Sequence, residues 1–299
     1  MPKYVVLVGN IFSLFLYIML TNDNKRKKSV FIFDVTFDEN FVRYFSKFYQ
    51  CYHFKYKNRF SKLLQTILLF MYFCFFKIFN KILVIYGQDH VDAAKIFFSK
   101  IFTKWKFYLL EDGAGNYVNI EEIKKHSKNY NYLVMGFNNR IEKIILTTTL
   151  KVDRYIRNKV VRVNLLKLWE KKSLKEKNII KILYNLNDYD LSNYKNCIIT
   201  QPFARNGMMT YQEQLDLYRK IFYRYSPKNT FIKVHPLDDF LYNIYFPEYY
   251  IINGNIPMEL LLLMNLSITK IITVNSSVTN FNRKNITVEY FDFDGNVKY

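Results

Sequence analysis

Two adjacent carboxylates, Glu111 and Asp112, come directly after the apolar run Phe107–Leu110 and are followed by Gly113. The apolar run predicts a strand, and neighbouring like charges in a half-buried position raise the proton affinity of at least one carboxylate. Such a carboxylate is suited to take a proton from a hydroxyl group, and Gly113 lets a ligand approach the backbone closely. The alternative interpretation is a solvated Asp-Gly turn.

His235 stands at the end of a second predicted strand, Thr230–Val234, and is followed by Pro236. The proline restricts the histidine to extended backbone geometry. An imidazole in this position can donate a hydrogen bond to a phosphate or protonate a phosphate as it leaves. Lys233 is expected on the same side of the strand as His235. The alternative is a capping histidine in an ordinary strand–loop turn.

Two further loops carry polar side chains after predicted strands. Ser276 and Ser277 follow the strand Ile271–Val274 and precede a predicted helix start. Their hydroxyl groups, the free backbone N–H groups and the helix dipole would form an anion site, and a simple N-cap is the alternative. Gln201 lies in the polar loop 200–207, which is suited to contact a base, a ribose or a phosphate.

Alternating strands and helices must position these loops. Short β-rich runs separated by longer helical segments predict an α/β fold with parallel sheets covered by helices. Ligands in such folds bind beyond the carboxyl ends of the strands. The predicted strands are Tyr4–Val8, Ser29–Phe33, Ile82–Tyr86, Phe107–Leu110, Cys197–Thr200, Thr230–Val234, Ile271–Val274 and Thr287–Phe291, and the predicted helices include Ile11–Leu20, Leu63–Phe79, Val91–Thr103, Tyr211–Tyr225 and Pro257–Met264.

The same pattern predicts two domains joined by a charged connection. A first Rossmann-like domain is expected at 1–150 and a second at 196–299. The charged sequence between about 138 and 195 is predicted to be helical, with a helical linker at 151–195.

The composition is that of a basic, folded protein. The chain of 299 residues carries 44 Lys and Arg against 25 Asp and Glu, and half of its residues are hydrophobic. The net charge of +19 suits an anionic partner, although A/T-rich codon usage would also produce it. Nucleic acid is not predicted as a partner, because no recognised binding motif occurs. Three widely spaced cysteines, Cys51, Cys74 and Cys197, exclude a disulfide scaffold or a zinc ribbon and indicate the cytoplasm.

Two apolar stretches resemble membrane spans in composition. Tyr4–Leu20 is interrupted by Gly9 and Asn10 and therefore predicts a strand followed by a buried helix. Leu63–Phe79 predicts a long apolar helix flanked by Lys and Arg, slightly shorter than the ~20 residues that span a bilayer. We interpret it as a core or membrane-surface helix. The protein is accordingly expected in the cytoplasm, peripheral at the inner face of the cytoplasmic membrane.

The order and positions of the short motifs resemble those of bacterial sialyltransferases with the GT-B fold. The chain looks most like glycosyltransferase family 52, which makes sialylated lipooligosaccharide or capsule. The resemblance implies two Rossmann-like domains with a cleft between them, the first on the acceptor side and the second binding a CMP-sugar. The motifs that carry it are Glu111-Asp112-Gly113, Lys233-Val234-His235-Pro236, Ser276-Ser277 and Thr200-Gln201-Pro202.

The resemblance also implies a reaction and roles for the motif residues. The reaction would be a metal-independent, cofactor-free, inverting transfer of sialic acid from CMP-sialic acid to the hydroxyl of a terminal galactoside. Asp112 would be the catalytic base, and His235 would stabilise the departing CMP phosphate. Glu111 and His90 would contact the acceptor, with a helix cap by Asp89 as the alternative at the latter position. The nucleotide-sugar site would comprise Gly113, Gln201, Lys233, His235, Pro236, Ser276 and Ser277.

Other functions stay open on the sequence alone. One is a GT-B transferase that uses another nucleotide sugar, and another is a non-catalytic basic peripheral membrane protein built on the Leu63–Phe79 helix. The acidic triplets Asp188-Tyr189-Asp190 and Asp292-Phe293-Asp294 resemble metal-binding motifs but are interpreted as turn or surface residues. The oligomeric state is open, and a homodimer is among the alternatives.

Overall fold

The structure, a computed structural model, describes residues 2–78, 83–126, 133–186, 190–264, 267–274 and 285–298. The chain forms two compact units, Met1–Ile180 and Lys181–Tyr299. Each unit is built around one sheet.

The first unit contains a seven-stranded parallel sheet with the strand order β3-β2-β1-β4-β5-β6-β7. Its strands are β1 Tyr4–Val8, β2 Ser29–Phe33, β3 Gln50–His53, β4 Val84–Gly87, β5 Lys106–Leu110, β6 Ile141–Leu146 and β7 Val160–Arg162. Its helices are α1 Ile11–Leu20, α2 Asp23–Lys27, α3 Glu39–Phe45, α4 Arg59–Ile78, α5 Ala94–Phe97, α6 Ile120–His126, α7 Leu165–Glu170 and α8 Leu174–Leu183, the last of which ends just beyond Ile180, and short 3-10 turns lie at Lys100–Phe102, Gly113–Tyr117 and Arg157–Lys159.

Helices cover both faces of this sheet because its central strands are apolar on both faces. All five residues of β2 are buried. On one face, the Phe31 ring lies 5.7 Å from Tyr17 of α1 and 5.1 Å from Phe45 of α3. On the other face, Ile32 belongs to the same core as Phe73 of α4. Strands buried on both sides are typical of a parallel sheet in an α/β fold.

The second unit contains a six-stranded sheet with the order β10-β9-β8-β11-β12-β13, parallel except for the pairing of β12 with β13. The elements are β8 Asn196–Ile199, α9 Tyr211–Phe222, β9 Thr230–Lys233, α10 Tyr242–Tyr245, β10 Tyr250–Ile252, α11 Met258–Leu263, β11 Lys270–Thr273, β12 Thr287–Phe291 and β13 Val297–Lys298.

The α/β class and most elements are confirmed. Four elements have the predicted bounds: the strands Tyr4–Val8, Ser29–Phe33 and Thr287–Phe291, and the helix Ile11–Leu20. The predicted helix Val91–Thr103 is instead the short α5 and a 3-10 turn. The unpredicted strands β3 and β10 are short and lie at the edges of their sheets.

The segment 138–195 is not wholly helical, and this prediction was wrong. Strand β6 occupies Ile141–Leu146, where Glu142 and Lys143 are exposed and the other four side chains are buried. Glu142 and Lys143 interrupt the apolar pattern of this strand, so the sequence did not predict it. The segment predicted as a linker, 151–195, contributes β7, which pairs with β6 from Ile144 to Leu146.

Candidate active site

The carboxyl ends of β1, β4 and β5 lie side by side, because these strands are neighbours in a parallel sheet. The connection order reverses between β1 and β4, and α/β sheets bind ligands at such a point. Three loops leave the strands there: Gly9-Asn10, Gln88–His90 and Glu111–Gly113. Asp112, the predicted base, lies in the third loop.

Two carboxamides from the neighbouring loops anchor Asp112. The side-chain nitrogens of Asn10 and Gln88 both donate to one carboxylate oxygen, Oδ1. The Asn10 amide can have only one orientation, because its oxygen accepts the backbone N–H of Ser13 at 2.8 Å as the N-cap of α1. The second oxygen of Asp112, Oδ2, lies 3.6 Å from Nε2 of His90. Oδ2 is therefore the oxygen left to receive a proton.

The environment of Asp112 makes its carboxyl a base near neutral pH. Burial raises its pKa to about 6, and the nearby carboxylate of Asp89 acts in the same direction. The charge of His90 and the hydrogen bond from Asn10 oppose the rise in pKa. A carboxyl with this pKa is mostly ionised at pH 7 and yet more basic than an ordinary aspartate.

The turn after Asp112 explains why Gly113 is a glycine. Gly113 has a φ of +79°, in the left-handed region that side chains with a Cβ rarely adopt. It begins a 3-10 turn whose Asn116 accepts the backbone N–H of Asp112 through its side-chain oxygen. The turn thus fixes the backbone on which the carboxylate is mounted.

Glu111 has a different role from the one expected. Its side chain is buried, and Tyr117 donates its hydroxyl to Oε1 at 2.6 Å. The backbone N–H and the hydroxyl of Thr147 both donate to Oε2 at 2.6 Å. Because its two oxygens already accept three hydrogen bonds, Glu111 ties β5 to the end of β6 and is not placed to contact an acceptor.

Asp89 and His90 are adjacent but face different surroundings. Asp89 is buried and accepts the backbone N–H groups of Met135 and Gly136 at 2.9 and 2.8 Å. It therefore holds the loop before β6, and the interpretation of Asp89 as a helix cap was wrong. His90 keeps about a third of its side chain exposed (35%) beside Asp112. Its predicted acceptor contact stays a prediction.

In the second unit, His235 lies just beyond the end of β9 in a fixed orientation. Its backbone N–H donates to the hydroxyl of Thr200 at 3.1 Å, and that hydroxyl donates to Asp238 at 2.6 Å. Nδ1 accepts the backbone N–H of Leu237 at 3.1 Å. In the neutral ring the proton must then be on Nε2, which can donate to an anion.

Burial, together with the positive charges of Lys233 and Arg205, lowers the pKa of His235 to about 4. The imidazole is therefore neutral at pH 7 before any ligand binds. Because Nδ1 accepts a backbone N–H, the form that an approaching phosphate would meet is the neutral ring with Nε2–H as its donor.

Lys233 differs from the expected nucleotide contact. Its side chain is buried, and its Nζ donates to the carbonyl oxygen of Val234 at 2.7 Å. Burial lowers the pKa of this ammonium to about 7. With its ammonium hydrogen-bonded inside the fold, Lys233 acts on His235 through its charge.

The other predicted nucleotide residues occupy loops at the carboxyl ends of the second sheet. Gln201 follows β8 and is half-buried, and its backbone N–H donates to the Tyr218 hydroxyl at 2.6 Å. Pro236 is exposed and follows His235. Ser276 and Ser277 lie outside the described residues. The nucleotide contacts of this set stay predictions.

Three residues of these sites were missed from the sequence. Asn10 and Gln88 contact Asp112 because their strands are neighbours in the sheet. Each lies just after a strand, and this position is the signal that could have identified them. Gly254 packs against the backbone of the His235-Pro236 turn, and a Cβ there would lie 2.7 Å from the Pro236 Cα.

In the part of the chain that the structure describes, no group of three His, Cys, Asp or Glu side chains is placed to hold a metal ion. Asp292 instead accepts the backbone N–H groups of Asp294 and Asn296 in a turn. Asp190 accepts two hydrogen bonds from Ser192, while Asp188 and Tyr189 lie outside the described residues.

The two Rossmann-like sheets, with polar groups at their carboxyl ends, have the architecture of a GT-B glycosyltransferase. A solved α-2,3-sialyltransferase from Photobacterium phosphoreum is similar with a TM-score of 0.60 and 16% identity, over 97% of this chain and 90% of that chain. The GT-B domain of a Photobacterium damselae sialyltransferase gives a TM-score of 0.54 at 12% identity, over 97% of this chain and 90% of that chain. At these identities the likeness shows the fold, and the predicted GT-B fold is confirmed.

The sequence profile of Glycosyltransferase family 52 matches residues 13–291. The chain therefore belongs to Glycosyltransferase family 52, as predicted. An uncharacterized protein of Haemophilus influenzae is 28% identical over 292 residues, covering 92% of this chain and 90% of that protein. A 2,6-sialyltransferase of Photobacterium sp. JT-ISH-224, solved with the donor product CMP and the acceptor substrate lactose, has a TM-score of 0.59 at 11% identity, over 96% of this chain and 71% of that chain.

Proposed function

We propose that the protein is a metal-independent, inverting sialyltransferase that moves sialic acid from CMP-sialic acid to a terminal galactoside hydroxyl of a surface glycan, lipooligosaccharide or capsule. Membership in Glycosyltransferase family 52 supports the transferase class. The structural similarity to a sialyltransferase solved with CMP and lactose supports this choice of donor and acceptor.

The observation that carries the proposal is the state of Asp112. Its carboxylate has one oxygen held by two amides and the other near His90, and burial raises its pKa to about 6. An immobilised carboxylate that is ionised but unusually basic is what removal of a proton from a sugar hydroxyl requires. A carboxylate that only ended a turn would have no reason to be buried or to accept hydrogen bonds from two amides.

In the proposed reaction, Asp112 Oδ2 takes the proton of the acceptor hydroxyl as its oxygen attacks the anomeric carbon of sialic acid. The new carbon–oxygen bond forms opposite the bond to the CMP phosphate, which breaks with its electron pair going to the phosphate oxygen. Attack from the opposite side inverts the configuration at the anomeric carbon. The proton taken by Asp112 is later released to water.

His235 is proposed to stabilise the departing phosphate. Its ring is neutral and oriented with Nε2–H as the donor, so it offers a hydrogen bond that strengthens as negative charge develops on the phosphate oxygen, with no proton transferred. Ser276 and Ser277 are proposed to add hydroxyl donors, and the loop that contains Gln201 to hold the nucleotide. These donors would replace the charge that a metal ion supplies in other transferases.

The test is product formation from a panel of sugar nucleotides, with lactose as the acceptor and EDTA in excess. We expect sialyllactose from CMP-sialic acid and no product from UDP- or GDP-sugars. In a thermal-shift screen, CMP should raise the Tm more than UDP, GDP or ADP. Product from a UDP- or GDP-sugar alone would support a transferase of different donor specificity, and dependence on added Mg²⁺ would contradict metal independence.

A further inference from the structure

Helix α4 carries a continuous apolar stripe that faces away from the protein. Its residues follow each other at intervals of four, three, four, four and three positions, the spacing of one helix face. Each is between 45% and 75% exposed. At about 100° per residue they span roughly 80° of the helix circumference. The outer stripe consists of Phe60, Leu64, Ile67, Met71, Phe75 and Ile78.

The opposite face of α4 is part of the core of the first unit. Leu69 and Phe73 are buried, and the Phe73 ring lies 4.9 Å from Phe97 and 6.0 Å from Trp105. Among the described residues, α4 is the one helix long and apolar enough to cross a bilayer. Crossing would remove Phe73 from this aromatic cluster and uncover the sheet. The fold therefore presents α4 as a helix lying on a surface, with one face for the protein and one for a partner.

The charges around the outer stripe are positive. Arg59 and Lys77 are exposed at the two ends of α4, and the helix contains no acidic residue. Lys57 precedes it and is also exposed. If two copies packed stripe to stripe in antiparallel fashion, Arg59 of one would lie near Lys77 of the other, and like charges would oppose the pairing. Anionic lipid headgroups, by contrast, would attract Arg59 and Lys77.

We infer that the outer stripe of α4 docks the protein on an anionic lipid bilayer. The six apolar side chains enter the boundary between headgroups and acyl chains, while Arg59 and Lys77 contact lipid phosphates. The docking is a property of the first unit and holds whether or not the protein transfers sialic acid. It would keep the enzyme on the surface where lipid-linked glycans are made.

The experiment is co-flotation of the full-length protein with vesicles. One set contains phosphatidylcholine alone and the other phosphatidylcholine mixed with phosphatidylglycerol. We expect binding to the anionic vesicles, weak binding to the neutral ones, and loss of binding as salt is raised. Binding that is equal on both vesicles, or absent on the anionic ones, would overturn the inference.

Variants separate the apolar and the charged contributions. The double variant Ile67→Glu, Met71→Glu should bind anionic vesicles at least about tenfold more weakly, because two inserted side chains become charged. Arg59→Gln and Lys77→Gln should each weaken binding by about fivefold. The matched control is Leu174→Glu, an exposed leucine of α8 (80%) that should bind like the wild type.

Two outcomes with these variants would overturn the inference. The first is wild-type vesicle binding by the Ile67→Glu, Met71→Glu variant, given an unchanged circular dichroism spectrum and Tm. The second is a stable dimer of the wild type in light scattering that this variant converts to a monomer, because the stripe would then be covered by a second copy.

Discussion

Replacing Asn10 by serine isolates the control that this residue exerts on the pKa of Asp112. Asn10 has two functions: its oxygen caps α1, and its nitrogen donates to Asp112. A serine caps a helix about as well as an asparagine does, but its shorter side chain cannot replace the amide donor. The variant Asn10→Ser therefore keeps the helix and removes one hydrogen bond from the carboxylate.

The size of the effect follows from the strength of that bond. A hydrogen bond to a charged group contributes about 1.5–3 kcal/mol, and one pKa unit corresponds to about 1.4 kcal/mol. The pKa of Asp112, about 6 in the wild type, should rise by roughly one to two units. Asn10→Asp should raise the pKa further, because a second carboxylate would stand beside the first.

The assay is kcat/KM for transfer from CMP-sialic acid as a function of pH. Because the ionised carboxylate is the active form, activity falls as the pH drops through its pKa. The midpoint of this acid limb should move from about pH 6 to between about 7 and 8 in Asn10→Ser, with activity recovering at higher pH.

The matched control is Asn22→Ser, the same replacement at the N-cap of α2, where the asparagine accepts the Lys25 backbone N–H at 2.9 Å. It should leave the acid limb in place. If Asn10→Ser has the wild-type midpoint, or loses activity equally at every pH, its amide does not set the pKa of the catalytic group.

Three other predictions concern stability and the second unit. Glu176→Ala should lower the free energy of unfolding by about 3 kcal/mol in calorimetry, because it leaves the buried Arg26 without its 2.7 Å partner; a loss under about 1 kcal/mol, as for a surface pair, would contradict this. Gly254→Ala should weaken the CMP-induced thermal shift, since the new methyl group displaces the turn at Pro236, and an unchanged shift would show that the turn does not hold the nucleotide. His235→Ala should abolish transfer and keep part of the CMP binding in calorimetric titration, whereas full activity would remove His235 from the reaction.

The sequence predicts single loops better than the contacts between them. The apolar run from Tyr4 to Leu20 divides at Gly9-Asn10, so β1 and α1 could be placed residue by residue. That Asn10 meets Asp112, 102 positions away, depends on β4 and β5 lying on one side of β1. Strand order is a property of the whole sheet, and no local pattern encodes it.

The unexpected burial of Glu111 and Lys233 has a physical cause. Glu111 and Lys233 are charged residues near strand ends, and charge predicts exposure. Glu111 can be buried because Tyr117 and Thr147 donate three hydrogen bonds to its carboxylate. Lys233 can be buried because its ammonium donates a hydrogen bond to a carbonyl oxygen. The two Thr147 donors lie 36 positions away, after β6, so the burial of Glu111 depends on the tertiary structure.

The measurement that tests the account most directly is sialyl transfer by the wild type and by Asp112→Ala, side by side, from CMP-sialic acid to lactose in EDTA. The matched control is Glu121→Gln, an exposed carboxylate of α6 (71%). We expect product from the wild type and from the control, and none from Asp112→Ala, with CMP raising the Tm of all three equally. Product formed by Asp112→Ala at the wild-type rate would contradict the assignment of Asp112 as the base.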